Sequence, residues 1–327
     1  MPTQLTTRNI YEQQSHNKRL TWLVMFGFVL FLGFLGFGFD YYYLGLFEDD
    51  FYFPLGTIVA VIFGSGMALS SYFNGAKSVL AATGAVPADP ANPADRTLIN
   101  VVDEMTIASG LPRPQVYIVT DEDPNAFATG RDPQHSYVVV TQGLLDALNR
   151  EELQGVIAHE MSHIRNYDIR LMTVVAAFVG SIVLLSDTAR RSMRFGGGTG
   201  RRRSKGGGGI LIILWIVAIV LAPLIAQMMA MLVSRKREYL ADASGAELTR
   251  NPLGLASALR KLESAAAPTT SIKRGAAHLC IVDPLGRNIN SKEGFTAELF
   301  GTHPPIEKRV LALNAMAYQY QRTPTSA

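Results

Sequence analysis

The chain has 327 residues and a net charge of +3; 48% of its residues are hydrophobic and only 17% are charged. An average soluble chain carries about 25% charged residues, so an apolar surplus must be housed, and the near-neutral balance gives no reason to propose a nucleic-acid partner. The single cysteine, Cys280, excludes an intrachain disulfide and fits a reducing compartment, where it reads as a small buried hydrophobe without a chemical role.

The surplus is concentrated in four runs. Residues 20–39 and 53–73 are uncharged, and each has about 20 residues, the length that crosses a ~30 Å hydrocarbon layer as a helix. Arg8, Lys18 and Arg19 precede the first run; Asp40, Glu48, Asp49 and Asp50 lie between the two, with no lysine or arginine. The positive-inside rule therefore predicts a cytoplasmic N-terminus (1–19), a transmembrane pair with a short acidic external loop (20–76), and a return to the cytoplasm. Residues 86–95 are rich in Pro and Ala, and 77–95 read as a linker.

A soluble-looking segment, 96–170, follows. Leu98, Val101, Val102 and Met105 have helical spacing within 94–109, and Gly110 and Pro112 stop that helix. Residues 115–120 and 136–141 read as strands, 125–130 as an edge strand, and 149–167 as a helix with Glu151 and Glu152 in its first turn. The third apolar run, 171–186, is short for a perpendicular span; the fourth, 210–234, is long enough. Between them stand Arg190, Arg191, Arg194, Arg201, Arg202, Arg203 and Lys205 among glycines, which predict a flexible loop. The hairpin 171–234 either crosses, against the positive-inside rule, or lies in or against the membrane from the cytoplasmic side; both readings stay open. The remainder, 235–327, is polar and helix-rich, with a helix expected over 306–313.

The chemistry begins at His159-Glu160-Met161-Ser162-His163. Histidines four apart share a helix face and can bind one ion, and the glutamate beside the first can take a proton from a metal-bound water. Downstream, Glu238 and Asp242 are again four apart: Glu238 is the candidate third ligand, and Asp242 the candidate acceptor for a ligand imidazole N–H. Taken alone, these two read more simply as acids in exposed helix pairs with Arg235, Lys236 and Arg237. His303, before two prolines, could donate to an oxyanion with Arg309 in support, although a capped helix start explains the same residues. His16, His135 and His278 have no spaced partner and read as surface or satisfied histidines.

With four motifs in order, the chain resembles the HtpX-type membrane metallopeptidases, related to the CAAX-prenyl-protease zincins. The motifs are Asn125-Ala126-Phe127-Ala128-Thr129-Gly130, the run 157–163, the run 234–242, and Thr302-His303-Pro304-Pro305-Ile306-Glu307-Lys308-Arg309. The resemblance implies an α+β integral membrane protein, mainly helical, with a zincin-like metallopeptidase domain, a small β-sheet and an active-site helix. It implies one zinc ion per subunit on His159, His163 and Glu238, Glu160 as base, Asp242 orienting a ligand, and His303 and Arg309 stabilising the transition state. It implies that Asn125, Ala126, Phe127 and Ala128 pair with substrate backbone by β-addition. The implied work is ATP-independent endoproteolysis of misfolded or damaged membrane proteins, as quality control under stress, in a bacterial inner membrane with the active site facing the cytoplasm. The alternatives are a processing protease with one defined substrate, and a non-catalytic membrane chaperone or scaffold with a structural zinc. The Gly/Arg-rich loop and the Pro/Ala stretch are unusual for the family.

Overall fold

The structure is a computed structural model that describes residues 10–43, 53–179, 235–265, 279–282 and 304–322. His278, His303, the Gly/Arg-rich loop and the fourth apolar run lie outside the described residues.

The two uncharged runs form α1 (Ile10–Tyr43) and α2 (Leu55–Thr83). Both are long and apolar enough to cross a membrane. A core helix of a soluble protein would be mostly buried, yet only 33% and 17% of their apolar windows are covered by protein. Trp22, Leu23, Phe26 and Leu30 on α1, and Val59, Ile62, Phe63 and Phe73 on α2, face outward, as lipid contact requires. Small residues bring the pair together: a Cβ at Gly36 would stand 2.6 Å from the Gly56 carbonyl oxygen and 2.7 Å from the Ala60 Cβ. Asp40 is wholly buried and accepts from the Gly56 amide (2.6 Å), the Thr57 amide (2.7 Å) and the Thr57 hydroxyl (2.7 Å). The acid thus satisfies the first-turn amides of α2, which have no partner within their own helix.

The 77–95 stretch is more ordered than a linker. α2 continues to Thr83 because Val79 and Leu80 pack on the sheet, and it ends at left-handed Gly84. β1 (Val86–Pro87) then joins the sheet, and α3 (Pro93–Ser109) begins at an Asn92 cap. β2 (Gln115–Val119), β3 (Ala126–Asp132) and β4 (His135–Thr141) complete a four-stranded sheet of order β1-β2-β4-β3. β2 and β4 are parallel, while the β3–β4 hairpin is antiparallel and pairs Phe127 with Val139. Gly130 occupies the bulge at φ 151°, where a Cβ would lie 2.4 Å from the His135 carbonyl oxygen.

Both faces of the sheet are covered, which is why Val138, Val139 and Val140 are all fully buried. Ala126, Ala128, Val138 and Val140 meet α3 and α5 (Arg150–Arg165). Phe127 and Val139 meet Val79, Leu80, Met172 and Ala176. Between β4 and α5 lies a short helix, α4 (Gln142–Ala147), capped by Thr141. After α5 the chain is helical again over 168–179 (α6). Its Leu171, Val174, Val175 and Phe178 pack on Met25, Phe28 and Leu32 of α1, and the Phe28 and Phe178 rings stack at 4.0 Å. The third apolar run therefore sets out alongside the membrane pair, parallel to α1. The second half of the domain supplies α7 (Arg235–Thr249) and α8 (Pro252–Ser264), which pack on α5, and α9 (Ile306–Arg322), which packs on α8 and α7.

Candidate metal centre

The start of α5 is fixed by a capping box: the Asn149 side chain accepts from the Glu152 amide (3.0 Å), and Glu152 accepts from the Asn149 amide (2.8 Å). Two turns later His159 and His163 share one face, both buried, their rings edge to face at 4.8 Å. α7 lies close against this face because Gly245 has no side chain; a Cβ there would sit 3.0 Å from the His159 amide nitrogen. Glu238, Asp242 and Gly245 fall at i, i+4 and i+7, so the contact that seats Gly245 turns both acids toward the histidines.

The Nε2 atoms of His159 and His163 lie 3.2 Å apart. The Glu238 Oε2 atom is 3.7 Å from the first and its Oε1 atom 3.6 Å from the second. One ligand atom from each of the three residues lies within 4.8 Å of the others. Behind each imidazole stands a carboxylate: Asp242 Oδ1 is 3.0 Å from His159 Nδ1, and Asp168 Oδ2 is 3.1 Å from His163 Nδ1. With a carboxylate near each Nδ1, the two Nε2 atoms meet at one point, beside a third anionic donor. That arrangement fits a cation. Three ligands at about 2.0–2.2 Å from one zinc stand roughly this far apart.

Charge supports the same fit. Burial pushes the Glu160 carboxyl up, His163 opposes it and Glu238 adds to it, leaving it at about 7. Burial works against a charged His163, but the bond to Asp168 and the charges of Glu238, Asp168 and Glu160 raise it to about 9. His159 is lowered by its complete burial, against the pull of Asp242. Burial of Asp242 is overcome by the charge and hydrogen bonds of Arg309 and by its bond to His159, which hold the acid below the ordinary carboxylate range.

Arg309 is wholly buried and grips Asp242 with Nε (2.8 Å) and Nη2 (2.7 Å), while Nη1 donates to the Ile281 carbonyl (3.0 Å) and lies 3.5 Å from Glu238. Sequence reasoning casts Arg309 as a transition-state group. In the structure it bonds Asp242 and the Ile281 carbonyl and lies beside Glu238, the geometry of a group that positions other groups.

Glu160 is buried beside the ligands, with the Ala128 amide directed at its carboxylate. β3 is the sheet edge here, and on the side away from β4 the Ala128 amide meets Glu160 and the Gly130 amide donates to the Thr173 hydroxyl (3.1 Å). Part of that edge is met by the chain itself: the Ile281 amide donates to the Ala126 carbonyl (2.9 Å), and Asn125 Nδ2 donates to the Val282 carbonyl (3.0 Å). Phe127 faces away from the metal cluster, into the contact with α2 and α6. Sequence reasoning missed Asp168. It stands five residues past His163, beyond the helix end, so helical spacing gives no signal for it.

A helix that offers two imidazoles and a carboxylate, met by a glutamate from a second helix and bordered by a sheet edge, is the arrangement of a metallopeptidase. Comparison with known proteins gives the family. The profile of peptidase family M48 matches residues 93–317. A protease HtpX homolog of Thermoanaerobacter pseudethanolicus is 44% identical over 315 residues, covering 95% of this chain and 99% of that protein. One from Dictyoglomus turgidum is 44% identical over 314 residues (95% and 96%), and one from Streptococcus gordonii 40% identical over 311 (94% and 100%). Among solved structures, that of S. mikatae Ste24p aligns with a TM-score of 0.48 at 19% identity, over 93% of this chain and 66% of that one. The chain belongs to peptidase family M48, with the HtpX-type proteases, and is a membrane metalloprotease.

Proposed function

We propose that this protein is a zinc-dependent, ATP-independent endopeptidase of a bacterial cytoplasmic membrane, cutting misfolded or damaged membrane proteins as quality control. The observation that carries the reading is the meeting of His159, His163 and Glu238 at one point with Glu160 alongside. Among the described residues the cluster has three members, the number that a catalytic zinc takes from protein, whereas a structural zinc takes four. His159, His163 and Glu238 would hold the ion. Bound there, zinc supplies a Lewis acid for the scissile carbonyl and makes water more acidic.

The chain's own groups do the rest. Asp242 and Asp168 hold the imidazole tautomers that leave Nε2 free to ligate. Glu160 takes a proton as water adds to the carbonyl carbon, then delivers it to the leaving amine nitrogen as the C–N bond breaks. His303, carried over from the resemblance, donates to the developing oxyanion, and Arg309 keeps Asp242 and Glu238 in place. The outward edge of β3 hydrogen-bonds extended substrate backbone, which suits loose sequence preference. Substrate then runs in the reach of Ala128, past the stretch that Ile281 and Val282 already engage.

The geometry of α1 supports a cytoplasm-facing orientation of the active site. Its N-terminal turns, with Lys18 and Arg19, lie at the metal-centre end, where Asn17 touches the turn after α5. A cytoplasmic N-terminus therefore puts the active site in the cytoplasm. The test is hydrolysis of unfolded casein by the full chain in detergent, with and without chelator. Glu160→Gln is expected to retain zinc and lose about 10²–10⁴-fold in rate. Near-normal cleavage by that variant, or activity indifferent to chelator, would overturn the assignment.

A further inference from the structure

Three side chains within about one helical turn of α1 hold the turn that follows the helix of His159 and His163. Gln14 Nε2 donates to the Arg165 carbonyl at 2.8 Å. Asn17 Nδ2 donates to the Asn166 carbonyl at 2.9 Å and to Asp168 Oδ1 at 2.7 Å. Lys18 places its ammonium 4.0 Å above the Tyr167 ring. Asn17 and Asp168 are both fully buried. The turn needs holding, because Tyr167 sits at φ 59°, a left-handed conformation that is unfavourable for a bulky residue and persists only where its surroundings impose it.

What the turn presents is Asp168. Its Oδ1 faces Asn17, with Arg237 Nη1 at 3.5 Å, and its Oδ2 faces His163 Nδ1 at 3.1 Å. The series runs without a gap: a buried amide on a membrane helix, a buried carboxylate on a strained turn, and a buried imidazole that directs its other nitrogen into the ligand cluster. We infer that Asn17 and Asp168 are positioning residues for the metal centre, so that the first membrane helix is part of the zinc site. The inference rests on His163 being a zinc ligand. A carboxylate acts on such an imidazole by fixing its tautomer and ring angle, and losing such a partner typically weakens metal binding by 10–100-fold. An asparagine amide suits the anchoring role because it can donate to the carboxylate and to the neighbouring carbonyl together, fixing the carboxylate relative to the turn.

The experiment measures zinc retention by the full-length protein in detergent against a graded chelator, for wild type, Asn17→Leu, Asp168→Ala and the double variant. His163→Ala serves as the ligand control and Phe26→Leu, on the outward face of α1, as the helix control. Asp168→Ala is expected to weaken zinc roughly 10–100-fold and Asn17→Leu roughly tenfold. The double variant is expected to be no weaker than Asp168→Ala alone, because Asn17 acts through that carboxylate. Asn17→Ser, which keeps a donor, should recover part of the loss and also serves if Asn17→Leu does not accumulate. Wild-type zinc affinity in Asn17→Leu, or losses that multiply in the double variant, would overturn the inference. Zinc retained by His163→Ala would instead remove the ligand assignment on which it rests. Thermal unfolding of the zinc-stripped variants separates the two kinds of effect: a merely structural contact lowers that transition and leaves zinc affinity unchanged.

Discussion

Gly245 packs its backbone against His159, and a Cβ added there would come within 3.0 Å of the His159 amide nitrogen and 3.2 Å of its Cα. These neighbours are helix backbone and have little room to move. Gly245→Val should therefore push α7 away from α5 and carry Glu238 and Asp242 with it. Overpacking of this kind costs about 1–3 kcal/mol, and the displaced glutamate should cost metal as well. Gly245→Ala, needing a shift of only a few tenths of an ångström, should keep most of both. Metal analysis together with thermal unfolding checks this; full zinc occupancy in Gly245→Val would show that α7 has slack.

Arg309 and Asp242 form a fully buried, two-bond pair. Removing one member strands the other charge, a change that typically costs 3–5 kcal/mol. Arg309→Ala should thus destabilise the protein severely and free Asp242 to drift from His159. Arg309→Lys keeps the charge but has no planar fork, and it should recover little. Arg309→Ala with Asp242→Asn should be milder than Arg309→Ala alone, because no uncompensated acid remains. Unfolding curves for the three variants test the order; equal losses in Arg309→Ala and Arg309→Lys with an unimproved double variant would point to packing rather than charge.

The legible part of the site was the part written at helical spacing. His159 with His163, and Glu238 with Asp242, each announce a shared face, and the structure sets the two faces against each other. The uncharged runs were equally plain, because lipid demands length and absence of charge. What was hidden depends on turns and on distant backbone. Asp168 reaches His163 across a turn whose Tyr167 takes a left-handed conformation, and Asn17 lies 149 residues from the carbonyl it holds. Arg309 read as support for His303, its neighbour in sequence; its bonds to Asp242 and Ile281, which come from other elements, gave no signal there. The 77–95 stretch looked like a linker because Pro and Ala dominate it, yet Val79 and Leu80 are packed by the sheet, which overrides local composition. Asp40 read only as part of an acidic loop between the runs; that it accepts from the first-turn amides of α2 gave no signal in the sequence.

That cap and the small residues beside it predict how the membrane pair holds together. A side chain at Gly36 would meet Gly56, Thr57 and Ala60 at 2.6–2.8 Å. Gly36→Leu should separate α1 from α2, whereas Gly66→Leu, at a position with no neighbour within 4 Å, should be tolerated. Asp40→Ala removes the acceptor for two amides and a hydroxyl and should cost about 1–2 kcal/mol. Unfolding in detergent, followed through Trp22 near Tyr72 at the α1–α2 contact, reports the separation. A Gly36→Leu variant with wild-type unfolding would mean that the helices do not depend on this crossing.

Glu152 makes a prediction about pH. It closes the capping box of α5, and it also accepts from Lys261 Nζ (2.7 Å) and from the Ser257 hydroxyl (2.7 Å), tying the active-site helix to α8. Burial opposes its charge, but those bonds, the Asn149 amide and the charge of Lys261 lower its carboxyl below the ordinary glutamate value of 4.5. A carboxyl that is more acidic folded than unfolded adds stability above the unfolded value and loses it as pH falls through the folded one. The wild type should therefore lose this contribution below about pH 4.5. Glu152→Gln, which cannot titrate, should be less stable than wild type at neutral pH by about 1 kcal/mol, the usual scale of a cap, since Lys261 is partly exposed and its share is screened. The gap should narrow toward pH 3. Unfolding midpoints for both proteins across pH 3–7 give the comparison, and a gap that stays constant with pH would show that Glu152 acts through shape and hydrogen bonding rather than through its charge.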